Sequence, residues 1–202
     1  MRRSNDDIKK YLLAKDKQLK PVIQATAFPV FKRNRDVYTR LLSSIVSQQL
    51  SIKAADTIYR RFLGLFPHDY PDPEQIQELT LSKLRSAGLS KQKSAYIKNV
   101  ADFALEHGVV YEELQKKTDI EVVEYLTQIK GVGRWTVEML LMSSLNRKDI
   151  FAVDDLGIQQ AMQALYKLDT VKKQLREDML NISSNWQPYR TIVCKYLWSW
   201  RR

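Results

Sequence analysis

Apolar residues recur along this chain at the spacing of one helical face. Val37, Tyr38, Leu41, Leu42, Ile45 and Val46 follow the i, i+3, i+4, i+7 rule of an amphipathic helix. Ser51 is a good N-cap, and after it Ile52, Ala55, Ile58, Tyr59 and Phe62 predict a second helix with those side chains inward. Three prolines between Pro67 and Pro73 mark a loop. Short helices are predicted over 73–79 and 81–87, the second stopped by Gly88, and a longer one over about 91–106. Another covers about 119–128, where Gly131 and Gly133 then interrupt the pattern. From Arg134 to Leu145 the chain is apolar enough for a buried helix, and further helices are expected over about 155–166, 171–181 and 187–201. The first 35 or so residues also read as helix. No stretch alternates with period two over a useful length, and no Asn-Gly or Asp-Gly pair marks a hairpin of strands. The expected fold class is all-α, a globule of many short helices.

Composition narrows the partner. The 202 residues are 44% hydrophobic, enough to bury a core, and carry 33 Lys+Arg against 23 Asp+Glu, a formal charge of +10. Such a balance suits a polyanion, nucleic acid first, although net charge also serves solubility. Glu106, Glu112, Glu113, Asp119, Glu121 and Glu124 make the middle of the chain less basic, a face expected to point away from such a partner. The single cysteine, Cys194, excludes an intrachain disulfide and a four-cysteine zinc or iron–sulfur site. One thiol fits a reducing compartment. With no signal-like or membrane-length apolar run, the expectation is a soluble intracellular protein without a membrane partner.

The stretch Leu126-Thr-Gln-Ile-Lys-Gly-Val-Gly-Arg-Trp-Thr-Val137 is the most informative. A helix enters, Gly131-Val132-Gly133 turns tightly, and a new helix starts near Arg134. The first amides of a helix have no partner within it, so they can bind a phosphate oxygen, and Lys130 and Arg134 add charge on either side. A bare G-x-G is weak on its own, because many helices end and restart at glycine.

This segment resembles the helix–hairpin–helix motif, which grips the DNA backbone without reading sequence. Twenty residues after Trp135 comes the carboxylate pair of Asp149-Ile-Phe-Ala-Val-Asp-Asp-Leu-Gly-Ile158. Together the two resemble the helix–hairpin–helix DNA glycosylase superfamily over residues from about 36 to 200. Ser47-Gln-Gln-Leu-Ser51, Gly131-Val-Gly-Arg-Trp135 and Trp186-Gln-Pro-Tyr-Arg190 leading to Trp198 point to its alkyladenine branch, of the 3-methyladenine glycosylase II type. The resemblance implies two helical lobes with a central cleft: one of about 1–35 plus 149–202, the other a six-helix bundle of about 36–148 carrying the hairpin at about 119–145. Asp155 is then expected at the mouth of that cleft.

The resemblance also assigns roles. Bifunctional relatives carry a Schiff-base lysine where this chain has Trp135, so a monofunctional enzyme is implied, one that releases alkylated purines with water in base excision repair. Asp155, the second of the pair, is implied as the catalytic carboxylate, with Asp154 as helix cap or support; the alternative is that both are structural caps. Trp135 and Trp198 match the family's base-pocket positions, and Met139 stands where some relatives have tyrosine. Tyr38 and Tyr189 are looser pocket candidates, and any of these aromatics is otherwise core. Gln49, supported by Gln48, falls where the family inserts a wedge into the gap left by a flipped base, with Leu50 as the fallback. Gly131, Gly133, Lys130, Arg134 and Thr136 are implied to hold the DNA backbone. Lys91 and Lys93 are either further phosphate contacts or a solvated face.

No cofactor is implied as required. A structural sodium or potassium ion on the main-chain carbonyls of Thr127, Lys130 and Val132 is possible in the family, and an iron–sulfur cluster is not expected here. The expected partner is double-stranded DNA bound by a monomer, in the cytoplasmic nucleoid of a bacterium or the nucleus of a eukaryote. Two rival functions stay open: a monofunctional glycosylase for etheno or deaminated bases, and a DNA-binding protein without catalysis.

Overall fold

The computed structural model describes residues 4–31 and 34–201, with the side chain of Ile52 outside the described residues. Among the described residues every regular element is helical, and no helix is long and apolar enough to cross a membrane. The chain divides into two units, Met1–Lys32 with Asn146–Arg202, and Arg33–Leu145.

The second unit is built around α3 (Val37–Ser47), whose stripe of Leu41, Leu42, Ile45 and Val46 is completely buried. Each such side chain contributes about 1.5–3 kcal/mol when taken fully out of water. α3 packs against α4 (Ile52–Leu63), α7 (Lys91–His107) and α10 (Arg134–Ser143). α7 in turn receives α5 (Pro73–Glu78) and α6 (Leu81–Ser86), and α10 receives α9 (Asp119–Leu126). Of the inward set predicted for α4, Ile52 lies outside the described side chains; among the others Phe62 is fully buried and Ala55, Ile58 and Tyr59 are half-buried, so this helix lies at the edge of the core. The acidic stretch also contains α8 (Tyr111–Lys116), which buries Leu114, donates from Gln115 Nε2 to the Leu145 carbonyl at 3.0 Å, and is too short to show as a period.

The first unit combines α1 (Asn5–Lys15) and α2 (Lys20–Ala25) with α11 (Leu156–Tyr166), α12 (Lys172–Ser184) and α13 (Arg190–Trp200). α13 lies between α2 and α11. Asp16 joins distant segments by accepting from the Tyr166 hydroxyl at 2.6 Å and the Trp186 indole at 2.9 Å. The expectation of helix through the first 35 residues is corrected: helix ends at Ala25, and the stretch containing Pro29 packs aromatics instead. Phe28 meets Tyr196 edge-on at 6.0 Å, and the Lys195 ammonium sits 3.8 Å from the centre of the Phe31 ring.

Candidate active site

Asp155 is delivered by a stretch of chain fastened to the start of α13. The Arg190 guanidinium donates to both carboxylate oxygens of Asp149 at 2.9 Å and to the Asp149 carbonyl. One residue on, the Ile150 amide donates to the buried Thr191 hydroxyl at 2.9 Å, and the Thr191 amide donates to the Lys148 carbonyl at 3.0 Å. Ile150, Phe151, Ala152 and Val153 are then buried, so the chain emerges at Asp154 with little freedom. Nothing in the sequence pattern singled out Arg190, Thr191 or Asp149 for this task; a paired cation and anion at the two ends of the family motif was the available signal.

Asp155 is the N-cap of α11. Its Oδ1 accepts the Ile158 amide and the Trp198 indole N–H, both at 2.9 Å. Neither donor uses Oδ2. Gly157 makes the arrangement fit: a Cβ there would lie 3.2 Å from Asp155 Oδ1 and 3.3 Å from Trp198 Cδ1. The role of cap therefore passes from Asp154 to Asp155, because the helix begins at Leu156. Asp154 pairs with Arg176 at 3.1 Å, both side chains about half exposed. Trp198, expected as a wall for a base, has its polar edge committed to the carboxylate.

The hairpin lies in the other unit. α9 ends at Leu126, and the turn follows through Val132 N–H to Ile129 carbonyl at 2.9 Å. Gly131 has φ of 107°, and a Cβ on it would lie 2.2 Å from the Tyr96 ring, so the aromatic ring rests directly on the glycine backbone. Gly133 is the N-cap of α10, with no side chain to cap it and open space where a Cβ would be. Arg134 is exposed and donates to the buried Glu138 carboxylate at 2.9 Å. Lys130 is exposed, and its carbonyl accepts from Asn99 Nδ2 at 2.9 Å. Trp135 and Met139 are half-buried and one turn apart on α10, hence on one face.

Three expected side chains are corrected by burial. Thr136 is 2% exposed, so only its main chain is available to a DNA backbone. Tyr38 is 6% exposed and its hydroxyl donates to the Pro71 carbonyl at 3.0 Å, with burial pushing the phenol far above its ordinary range. Tyr189 is 8% exposed and meets Tyr11 edge-on at 5.5 Å. Both rings are core, with no face to offer a base.

The loop between α3 and α4 holds the remaining candidates. Gln48 donates from Nε2 to the Gly131 carbonyl at 3.2 Å, and exposed Gln49 has φ of 56°. Leu50 is 38% exposed, and the Ser51 hydroxyl caps α4 by accepting the Ala54 amide. Lys93 is neither a solvated lysine nor directed outward: its ammonium donates to the carbonyls of Val46 and Gln48, each at 2.7 Å. Burial pulls its pKa down from the ordinary value. Lys91 is exposed at the start of α7.

Comparison with known proteins places this geometry. Residues 42–185 match the model of the HhH-GPD superfamily base excision DNA repair proteins. The DNA-3-methyladenine glycosylase 1 of Schizosaccharomyces pombe is 36% identical over 167 residues, spanning 81% of this chain and 72% of that protein. The solved structure of the S. pombe 3-methyladenine DNA glycosylase Mag1 in complex with abasic DNA superposes with a TM-score of 0.87 at 32% identity, covering 96% of this chain and 95% of that one. A DNA-3-methyladenine glycosidase from Bacillus halodurans gives a TM-score of 0.81 at 35% identity, covering 98% and 92%.

Proposed function

Because the chain belongs to the HhH-GPD superfamily of base excision DNA repair proteins, we propose that Asp155 is the carboxylate with which it removes alkylated bases from DNA. The protein is a DNA glycosylase of the 3-methyladenine type and its partner is DNA. The supporting observation is the double hold on Asp155 Oδ1 by the Ile158 amide and the Trp198 indole, which gives the carboxylate one orientation.

The chemistry follows from where charge develops. As the glycosidic bond breaks, the sugar becomes oxocarbenium-like, and a fixed carboxylate beside it stabilises that cation without having to reorganise. The same group orients or deprotonates the attacking water, an effect of roughly 10²–10⁴ in rate. Alkylated purines such as 3-methyladenine carry positive charge before they leave, so departure needs little help from an acid. Trp135 carries no amine for a Schiff base, which supports simple hydrolysis to an abasic site. The base has first to leave the stack, at a few kcal/mol, and the half-buried face of Trp135 with Met139 is the surface proposed to receive it.

The uncapped start of α10 is proposed to take a phosphate of double-stranded DNA, bound by a monomer. A monovalent cation on the carbonyls of Thr127, Lys130 and Val132 fits only if it shares the Lys130 oxygen with Asn99. It would supply positive charge near the same phosphate. The test is release of bases from methylated duplex DNA by the wild type beside Asp155→Asn. Release by the wild type and loss of at least about 10²-fold in the variant are expected. Equal activity would remove Asp155 from the mechanism, and no release by the wild type would remove the proposed reaction.

A further inference from the structure

The loop Gln48–Leu50 is held in a conformation that the local sequence does not favour. Gln49 is a non-glycine residue at φ of 56°. Such a backbone persists where surrounding contacts over-determine it. Those contacts come from α7. Lys93 reaches the last carbonyls of α3 at Val46 and Gln48, which have no onward helical donors, and a cation at a helix C-terminus is favourable. Tyr96, three residues later and so on the same face of α7, lies on Gly131 of the hairpin. Its hydroxyl accepts from Gln92 at 2.5 Å, which steadies the ring. Gln48 closes the circuit by donating to the Gly131 carbonyl. Loop, α7 and hairpin thus border one open cavity of about 440 Å³, lined by Gln48, Gln49, Lys93, Tyr96, Gly131 and Gly133 among others.

From this we infer that Lys93 is a positioning residue for base extrusion: through Gln48 it braces the exposed Gln49–Leu50 tip against the phosphate-binding hairpin. The inference rests on the reading of the protein as a glycosylase that inserts this tip into DNA. Wedge and grip have to be rigid with respect to each other, because a tip that yields cannot unstack a base while the backbone is held. Without Lys93 two helix-terminal carbonyls lose their donor, and the Gln48–Gln49 peptide that leads into the left-handed residue loses the bond that holds its oxygen. The hairpin keeps its own turn, so DNA binding survives while extrusion weakens. Lys93 touches no reacting atom in this scheme.

The experiment uses the full chain and a duplex with a tetrahydrofuran abasic-site mimic beside 2-aminopurine, whose fluorescence rises on unstacking. Lys93→Met and Gln48→Leu are compared with wild type and with Lys93→Arg, alongside thermal unfolding. The expected result is a 2-aminopurine response at saturating protein weakened about tenfold in Lys93→Met, less in Gln48→Leu, and recovered in large part by Lys93→Arg. Binding to the same duplex changes little. A second readout is single-turnover release of 7-methylguanine paired with cytosine or mispaired with thymine. The defect of Lys93→Met shrinks in the mispair, where extrusion is easier. An unchanged 2-aminopurine response in Lys93→Met overturns the inference, as does an equal slowing in both duplexes accompanied by a lowered Tm. If the wild type unstacks 2-aminopurine through Lys93 but releases no base, the inference stands and the proposed reaction falls.

Discussion

α10 and α11 meet the same problem at their first turns, amide hydrogens with no partner inside the helix, and the two units of the molecule treat it in opposite ways. In α11 the chain supplies its own acceptor: Asp155 caps the helix, and the bond that satisfies Ile158 also aims the carboxylate. In α10 the cap position is Gly133, which brings no acceptor. α9, immediately before the hairpin, shows that the chain can cap fully when no ligand is wanted. There Thr118 and Glu121 form a reciprocal box, and the Thr118 amide and hydroxyl hold the Glu121 carboxyl below the usual carboxylate range. The difference teaches that a helix start is a choice between an internal anion and an external one. One choice orients the carboxylate proposed to react, the other leaves the start of α10 open for the proposed phosphate.

The comparison can be broken at the hairpin first. Gly131→Ala combines a left-handed φ of 107° with a clash against the Tyr96 ring, and is expected to lower stability by about 3 kcal/mol in urea unfolding. A change below about 1 kcal/mol would mean the turn is not set by this packing. Gly133→Asp has room for its side chain, so the fold should hold while the new carboxylate caps α10 from within. DNA affinity is then expected to fall about thirtyfold, roughly 2 kcal/mol, with a shallower salt dependence; Gly133→Ala should stay nearer wild type. If Gly133→Asp binds DNA as well as wild type, the bare helix start is not the phosphate site.

On the other side of the comparison, Trp198→Phe keeps an aromatic ring but removes the donor to Asp155 Oδ1. Single-turnover excision should slow about tenfold, roughly 1.4 kcal/mol, with substrate affinity unchanged. A change confined to affinity would mean that the ring serves the base rather than the carboxylate. The smallest effect separates cap from catalyst within one residue. Asp155→Ala is expected to lose about 1 kcal/mol of stability and Asp155→Asn only a few tenths, since asparagine caps as well as aspartate. Thermal unfolding of the two variants tests this, and equal stabilities would deny Asp155 its capping role.

Much of the helical layout was legible because its causes are local. The α3 stripe, the Ser51 cap, the prolines before α5 and the glycine pair of the hairpin each act within a few residues. α8 escaped because six residues hold too few apolar positions to show a period, and the stretch after Ala25 because nothing local ends the reading before Pro29. At the site, the glycine pair pointed to the hairpin, and the resemblance to the glycosylase superfamily pointed to Asp155 and Trp135. They did not separate a pocket aromatic from a core one, and Tyr38 and Tyr189 proved to be core.

By itself, the sequence determined the all-α class, the basic character, the glycine turn and the want of a lysine amine at position 135, all properties of composition or near neighbours. Only the tertiary structure decided which aspartate caps α11, that Trp198 holds it across 43 residues of chain, and that Gly157 makes room for both. It alone turned Lys93 from a surface charge into a brace 45 residues from the loop it holds. The physical reason is that a hydrogen bond's range is about 3 Å in space but unlimited along the chain. Periodicity reports which face of a helix turns inward, and only packing reports what that face meets.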